Sequence, residues 1–164
     1  MSFLSKILGF IPPEEPPILV SIFPPAAAQR IRSGKLPVIQ ADKIILESNE
    51  ICHYVDVAVL LTVKKRYRSS RAGGSYRISK GFTFHLGNSE TVPLTEPEYT
   101  KGILYVTNHR IIFVANRYGF DQKLKKLTAI TPYSDALSLQ FGGKSYALLL
   151  PDPDTANQAI NLLI

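Results

Sequence analysis

The residues of this chain best placed to do chemistry are a run of cations. Lys64, Lys65, Arg66, Arg68, Arg71, Arg77 and Lys80 lie within 17 positions, and no aspartate or glutamate interrupts them. The whole chain carries +6 from 19 cations and 13 acids, so the seven in this run leave the remaining sequence close to neutral. Such a run attracts phosphates, an anionic membrane or an acidic partner through charge. On a strand it also discourages edge-to-edge aggregation. Each cation near an anionic bilayer contributes about 1 kcal/mol. Four acting together give about 4 kcal/mol, an affinity near 1 mM. Firm attachment therefore needs a second contact, and two weak signals together hold a protein at a membrane.

The N-terminus offers that contact. Phe3, Leu4, Ile7 and Leu8 recur at helical spacing, with Ser5, Lys6 and Gly9 opposite. A helix this short is unstable alone in water and needs a surface to dock on. The PPEEPP sequence ends it as an extended spacer.

Catalytic chemistry finds little support. Cys52 and His53 are adjacent, so on a strand they point to opposite faces and cannot work as nucleophile and base. His53, His85 and His109 are the three histidines, and neither a glycine-rich phosphate loop nor a metal-ligand spacing accompanies them. The expectation is a non-enzymatic protein without cofactor or metal. One cysteine excludes an intramolecular disulfide and suits a reducing compartment. No apolar run approaches the length of a membrane span, and the start of the chain makes a poor secretory signal. These features predict a cytoplasmic protein, with peripheral membrane association open to it.

The elements that must position the cations read mostly as strands. Val55, Val57, Val59, Leu61 and Val63 alternate with Asp56 and Thr62, predicting a strand whose valine face is buried. The alternation continues into the basic run, Ala72-Gly73-Gly74 turns the chain, and Tyr76–Leu86 returns as the second arm of a basic-tipped hairpin. A polar stretch with Pro93 and Pro97 reads as a loop. Gly102–Thr107 and Arg110–Ala115 form a second pair about Asn108-His109, where Asn suits a left-handed turn. Thr107 and Asn108 are expected to bond the turn backbone, and Arg110 to pair with an acid such as Glu96 or Glu98. Phe120–Ile130 is weakly amphipathic. Leu137, Leu139 and Phe141 begin a third hairpin through Gly142-Gly143 to Lys144–Leu150.

Two helices complete the plan. One spans Ala26–Ser33 and stops at Gly34. The other starts from Asp152 as N-cap and Pro153 at the first position, with Ala156, Ala159, Ile160 and Leu163 on one stripe. About seven antiparallel strands followed by one amphipathic helix predict a mainly β barrel plugged by its last helix. The division is an N-terminal extension over 1–37 and a barrel domain over 38–164.

GILYVTNHRIIFVA, with Gly102, Thr107, Arg110 and Phe113 at matching positions, resembles the core of GRAM-type domains in the pleckstrin-homology-like superfold. LSLQFGGKSYALLLPDPDTANQAINLLI is similar to the last hairpin and capping helix of that superfold. The resemblance covers roughly 42–164. It implies a binding module for lipid, peptide or protein, without catalysis, in which the basic hairpin takes anionic groups. The leading expectation is thus contact with a protein partner or an anionic membrane surface. The alternative is a scaffold taking a peptide on an edge strand or beside the last helix. Lys80-Gly81-Phe82-Thr83-Phe84-His85 is similar to the first strand motif of RNA-recognition domains, but the helices that fold requires have no counterpart between Asp42 and Ala115. Nucleic acid is an unfavoured partner.

Overall fold

The computed structural model describes residues 17–68, 77–79, 82–83 and 92–164, with side chains for 17–63 and 97–164. The chain divides into two compact units, Val63–Glu98 and the remainder.

The described residues form nine strands in order: β1 (Cys52–Arg68), β2 (Arg77–Ser79), β3 (Phe82–Thr83), β4 (Val92–Thr107), β5 (Arg110–Ala115), β6 (Phe120–Lys123), β7 (Ala129–Pro132), β8 (Ala136–Phe141) and β9 (Lys144–Leu149). Helix α1 covers Pro25–Arg32 and α2 covers Pro153–Asn161, with a 3-10 turn at Leu124–Lys126. Seven strands form one sheet in the order β6-β5-β4-β1-β9-β8-β7, in which β1–β9, β4–β5, β5–β6, β7–β8 and β8–β9 pair antiparallel. A seven-stranded sheet followed by a C-terminal helix is the mainly β arrangement that the strand and helix patterns predict.

The sheet curls on itself. Phe120 of β6 stacks on Tyr146 of β9, with ring centroids 3.9 Å apart, although three strands separate them in the sheet. Inward residues of β1, β4, β5, β8 and β9 share one core: Tyr54, Leu60, Leu104, Phe113, Leu139 and Leu148 are all buried in it. Gly102 permits the close approach of β4 and β5, since a Cβ there would lie 2.3 Å from the Val114 carbonyl oxygen. Only glycine fits.

Both helices end as their sequences dictate. Asp152 caps α2 by accepting from the Thr155 N–H, and Ala156, Ala159 and Ile160 enter the core. Pro25 starts α1, and Gly34, at φ 84°, ends it. Gly34 N–H donates to the Ile31 carbonyl and Lys35 N–H to that of Arg30, which satisfies the last turn. Phe23, Ala27 and Ile31 join the same core, so residues 23–31 are packed as part of the fold. An ion pair at 2.7 Å between Arg32 and Asp152 links the helices.

Four expectations change. In β1 the main core is filled by Tyr54, Ala58 and Leu60, with Asp56, and not by the valine face. Val59 and Leu61 are buried as well, in a second cluster with Ala136, Leu149, Leu19, Tyr99 and Tyr133. A strand covered on both sides cannot announce its inner face by alternation. The sheet neighbours of β1 are β4 and β9, whereas β2 and β3 pair with each other, so among the described residues the predicted returning arm does not pair with β1. Positions 93 and 97 lie within β4, where a loop was expected. Finally, Phe120–Ile130 is β6, the 3-10 turn and the start of β7.

Candidate functional site

The predicted basic site falls mostly outside what the structure describes. Lys64, Lys65, Arg66 and Arg68 lie on β1 and Arg77 on β2, with their side chains outside the described residues. Arg71, Lys80 and the Ala72–Gly74 turn lie outside them altogether, as do Phe3, Leu4, Ile7 and Leu8.

What the structure does show is an apolar row next to the spacer. Residues 17–22 carry no regular secondary structure. Leu19 packs inward on the second cluster, and Ser21 donates to Asp56 Oδ2 at 2.7 Å. The Ile22 N–H donates to Asp56 Oδ1 at 2.8 Å. Anchored this way, the segment turns Ile18, Val20 and Ile22 outward, at 91%, 77% and 53% exposure. Asp56 is buried, and the Tyr54 hydroxyl also reaches it at 3.4 Å. Burial and the adjacent Asp56 push the Tyr54 hydroxyl pKa far up.

A second polar centre holds the β4–β5 turn. Arg110 Nε donates to Glu50 Oε1 at 2.8 Å, Nη2 donates to Glu50 Oε2 at 3.1 Å, and Nη1 donates to Asp121 Oδ2 at 2.6 Å. The Thr107 hydroxyl donates to Glu50 Oε1 at 2.6 Å and accepts from the Arg110 N–H. Burial alone would raise the Glu50 carboxyl. The bonds from Arg110, Thr107 and the Glu47 N–H outweigh it and hold the group at about 2. Hydrogen bonding to Glu50 correspondingly pushes Arg110 up.

The acids that Arg110 pairs with are thus Glu50 and Asp121, and the side chain of Glu96 lies outside the described residues. Asp121 sits diagonally across from Arg110, because that residue faces Lys123 in the β5–β6 register. Thr107 does bond the turn backbone. Asn108 instead grips the preceding loop, accepting from Ile51 N–H and donating to the Asn49 carbonyl. The left-handed residue is Asn49, at φ 62°.

Glu47, Glu50 and His109 lie close enough to share a cation. Both Glu50 oxygens already accept from donors, and the Arg110 guanidinium beside them opposes a metal. The cysteine is equally unpromising. Cys52 is buried, and burial pushes its thiol up to about 11, so it stays protonated near neutrality. His53 Nδ1 lies 2.7 Å from the Pro37 carbonyl, which can only accept, so that nitrogen carries the proton.

Beside the Arg110 centre opens a cavity of about 840 Å³. Its walls come from the β4–β5 turn, β6, the 3-10 turn and the C-terminal residues after α2. Lys123, Lys125 and Lys126 line it together with Leu124, Leu127 and Leu163. Sequence reasoning passed over these lysines because they fall where the chain changes from strand to turn. The available signal was DQKLKK, three cations in four residues after Asp121.

No family model matches the chain, and no curated protein matches it. Among solved structures, the Vps36 N-terminal PH domain is similar at 14% identity and TM-score 0.42, covering 77% of this chain and 86% of that one. The C-terminal domain of an unknown protein from Leishmania infantum is similar at 16% identity and TM-score 0.36, covering 38% and 67%.

Proposed function

We infer that the protein is a non-enzymatic binding module that attaches to anionic membrane surfaces. The observation that carries this reading is the outward row of Ile18, Val20 and Ile22, held rigid from behind by Leu19 and the Asp56 bonds. Water-exposed aliphatics at alternating positions are costly unless something apolar receives them. A protein partner would also cover such a row. The bilayer is favoured by the seven acid-free cations of the 64–80 run, which suit an anionic lipid surface.

The magnitudes are compatible. Partial burial of three aliphatic side chains supplies about 3 kcal/mol. Added to about 4 kcal/mol from four cations, the total corresponds to roughly 10 μM. No helix of the described residues is long and apolar enough to cross a membrane. The absence of catalysis is supported by a protonated, buried Cys52 and by carboxylates already committed to neighbouring donors.

Sedimentation with vesicles tests this. The protein should pellet with phosphatidylserine-containing vesicles, stay in solution with pure phosphatidylcholine, and be released by added salt. Lys65→Glu/Arg66→Glu/Arg68→Glu should abolish pelleting, and Ile18→Ser/Val20→Ser/Ile22→Ser should weaken it tenfold or more. Undiminished pelleting by both variants rejects the reading.

A further inference from the structure

The cavity beside the Arg110 centre has a chemistry distinct from the membrane contact, and it arises from the topology. Strands β6 and β7 are the two edges of the sheet, and they are not neighbours in it. The chain leaves β6 at Lys123, crosses through Leu124–Lys126 and enters β7 at Ala129. The turn is fixed from below: Leu124 is buried, its N–H donates to the His109 carbonyl at 2.8 Å, and Leu127 N–H donates to the Leu124 carbonyl. A rigid turn thus borders the opening and presents lysines at its rim.

Charge in the lining is unequal. Lys123, Lys125, Lys126 and Arg110 face the carboxylates of Glu47 and Asp121. Asp121 accepts from Arg110 at 2.6 Å, and Glu47 lies 3.7 Å from His109. Arg110 is further bound to Glu50, so its charge is spent. Among the described residues, none of the three lysines has an ion pair. The remaining wall is aliphatic, with Leu127 and Leu163 partly buried against the core and Ile164 exposed. Cations at the rim of an aliphatic cleft of this volume match a small ligand with an anionic head and an apolar body.

We propose that this cavity is a binding site for a small amphipathic anion, its carboxylate or phosphate taken by Lys123, Lys125 and Lys126 and its aliphatic part by Leu127 and Leu163. The site is independent of the membrane contact. Isothermal titration of the full chain with decanoate, decyl phosphate, decanol and inorganic phosphate tests it, each kept below micelle formation. Micromolar binding of decanoate alone would identify the head as a carboxylate, and of decyl phosphate alone as a phosphate. Decanol and inorganic phosphate should bind at least tenfold more weakly. Lys123→Glu/Lys125→Glu/Lys126→Glu should lose binding tenfold or more with an unchanged unfolding temperature, and Leu163→Trp should lose it by filling the space. The Lys65→Glu/Arg66→Glu/Arg68→Glu protein should bind decanoate and decyl phosphate like the wild type. Failure of both amphiphiles to bind, equal binding of decanol, or full binding by the lysine variant overturns the proposal.

Discussion

Two neighbouring regions handle charge in opposite ways. At the β4–β5 turn, Arg110, Glu50, Asp121 and Thr107 bond one another, and the carboxylate at the centre is fully buried. A few residues on, Lys123, Lys125 and Lys126 stand exposed at a cavity rim without an ion pair among the described residues. Charges that answer each other in a buried setting depend on one another, because removing one leaves its partner buried and unpaired. Charges left exposed add little to stability and remain available to a ligand. Being charged and near a cavity therefore does not make Arg110 a ligand-binding residue; its bonds are already taken.

The contrast can be broken from either side, and the largest effect should come from the buried carboxylate. Glu50→Ala leaves the Arg110 guanidinium half-paired and takes from the Thr107 hydroxyl the closer of its two acceptors. Urea unfolding should show a loss of about 3–5 kcal/mol, with the membrane contact intact in the protein that remains folded. Acid should reproduce part of this loss. Glu50 titrates at about 2 in the folded protein against an ordinary 4.5, so its contribution is complete above pH 4.5 and disappears as pH falls through 2. The amount is about 3 kcal/mol, and Glu50→Gln should flatten that part of the stability–pH curve. Asp56→Ala removes the acceptor for Ser21 and Ile22 and should cost about 2 kcal/mol. Hydrogen exchange should then quicken selectively over residues 18–23. Smallest of all, Lys123→Glu/Lys125→Glu/Lys126→Glu should alter stability by about 0.5 kcal/mol or less, while abolishing anion binding. A large stability loss there would erase the distinction between the two regions.

The same contrast explains what could be read in the sequence. Both helices were legible because their ends use local chemistry: Asp152 with Pro153 at one start, and Gly34 at the other stop. The β4–β5 and β8–β9 hairpins were legible from tight turns flanked by apolar runs. The inner face of β1 was not, because Leu19, Tyr99 and Tyr133 cover the outer face from elsewhere in the chain. Nor was the partner of Arg110, since Glu50 reaches it only once the loop before β1 has folded over the β4–β5 turn. The pairing of β1 with β4 depends on contacts distant in sequence, and the intervening Ala72-Gly73-Gly74 offered a nearer turn. The basic run was conspicuous in composition, whereas the cavity lysines acquire meaning only through the gap between the sheet edges.

Attachment to a bilayer through the row at positions 18–22 can be read directly, because the chain contains no tryptophan. Val20→Trp places a single reporter in the middle of the row. With phosphatidylserine vesicles its emission should shift to the blue and be quenched by lipids brominated along their tails, and high salt should reverse both changes. An emission spectrum that stays that of a water-exposed indole while the protein pellets with the vesicles would contradict the account.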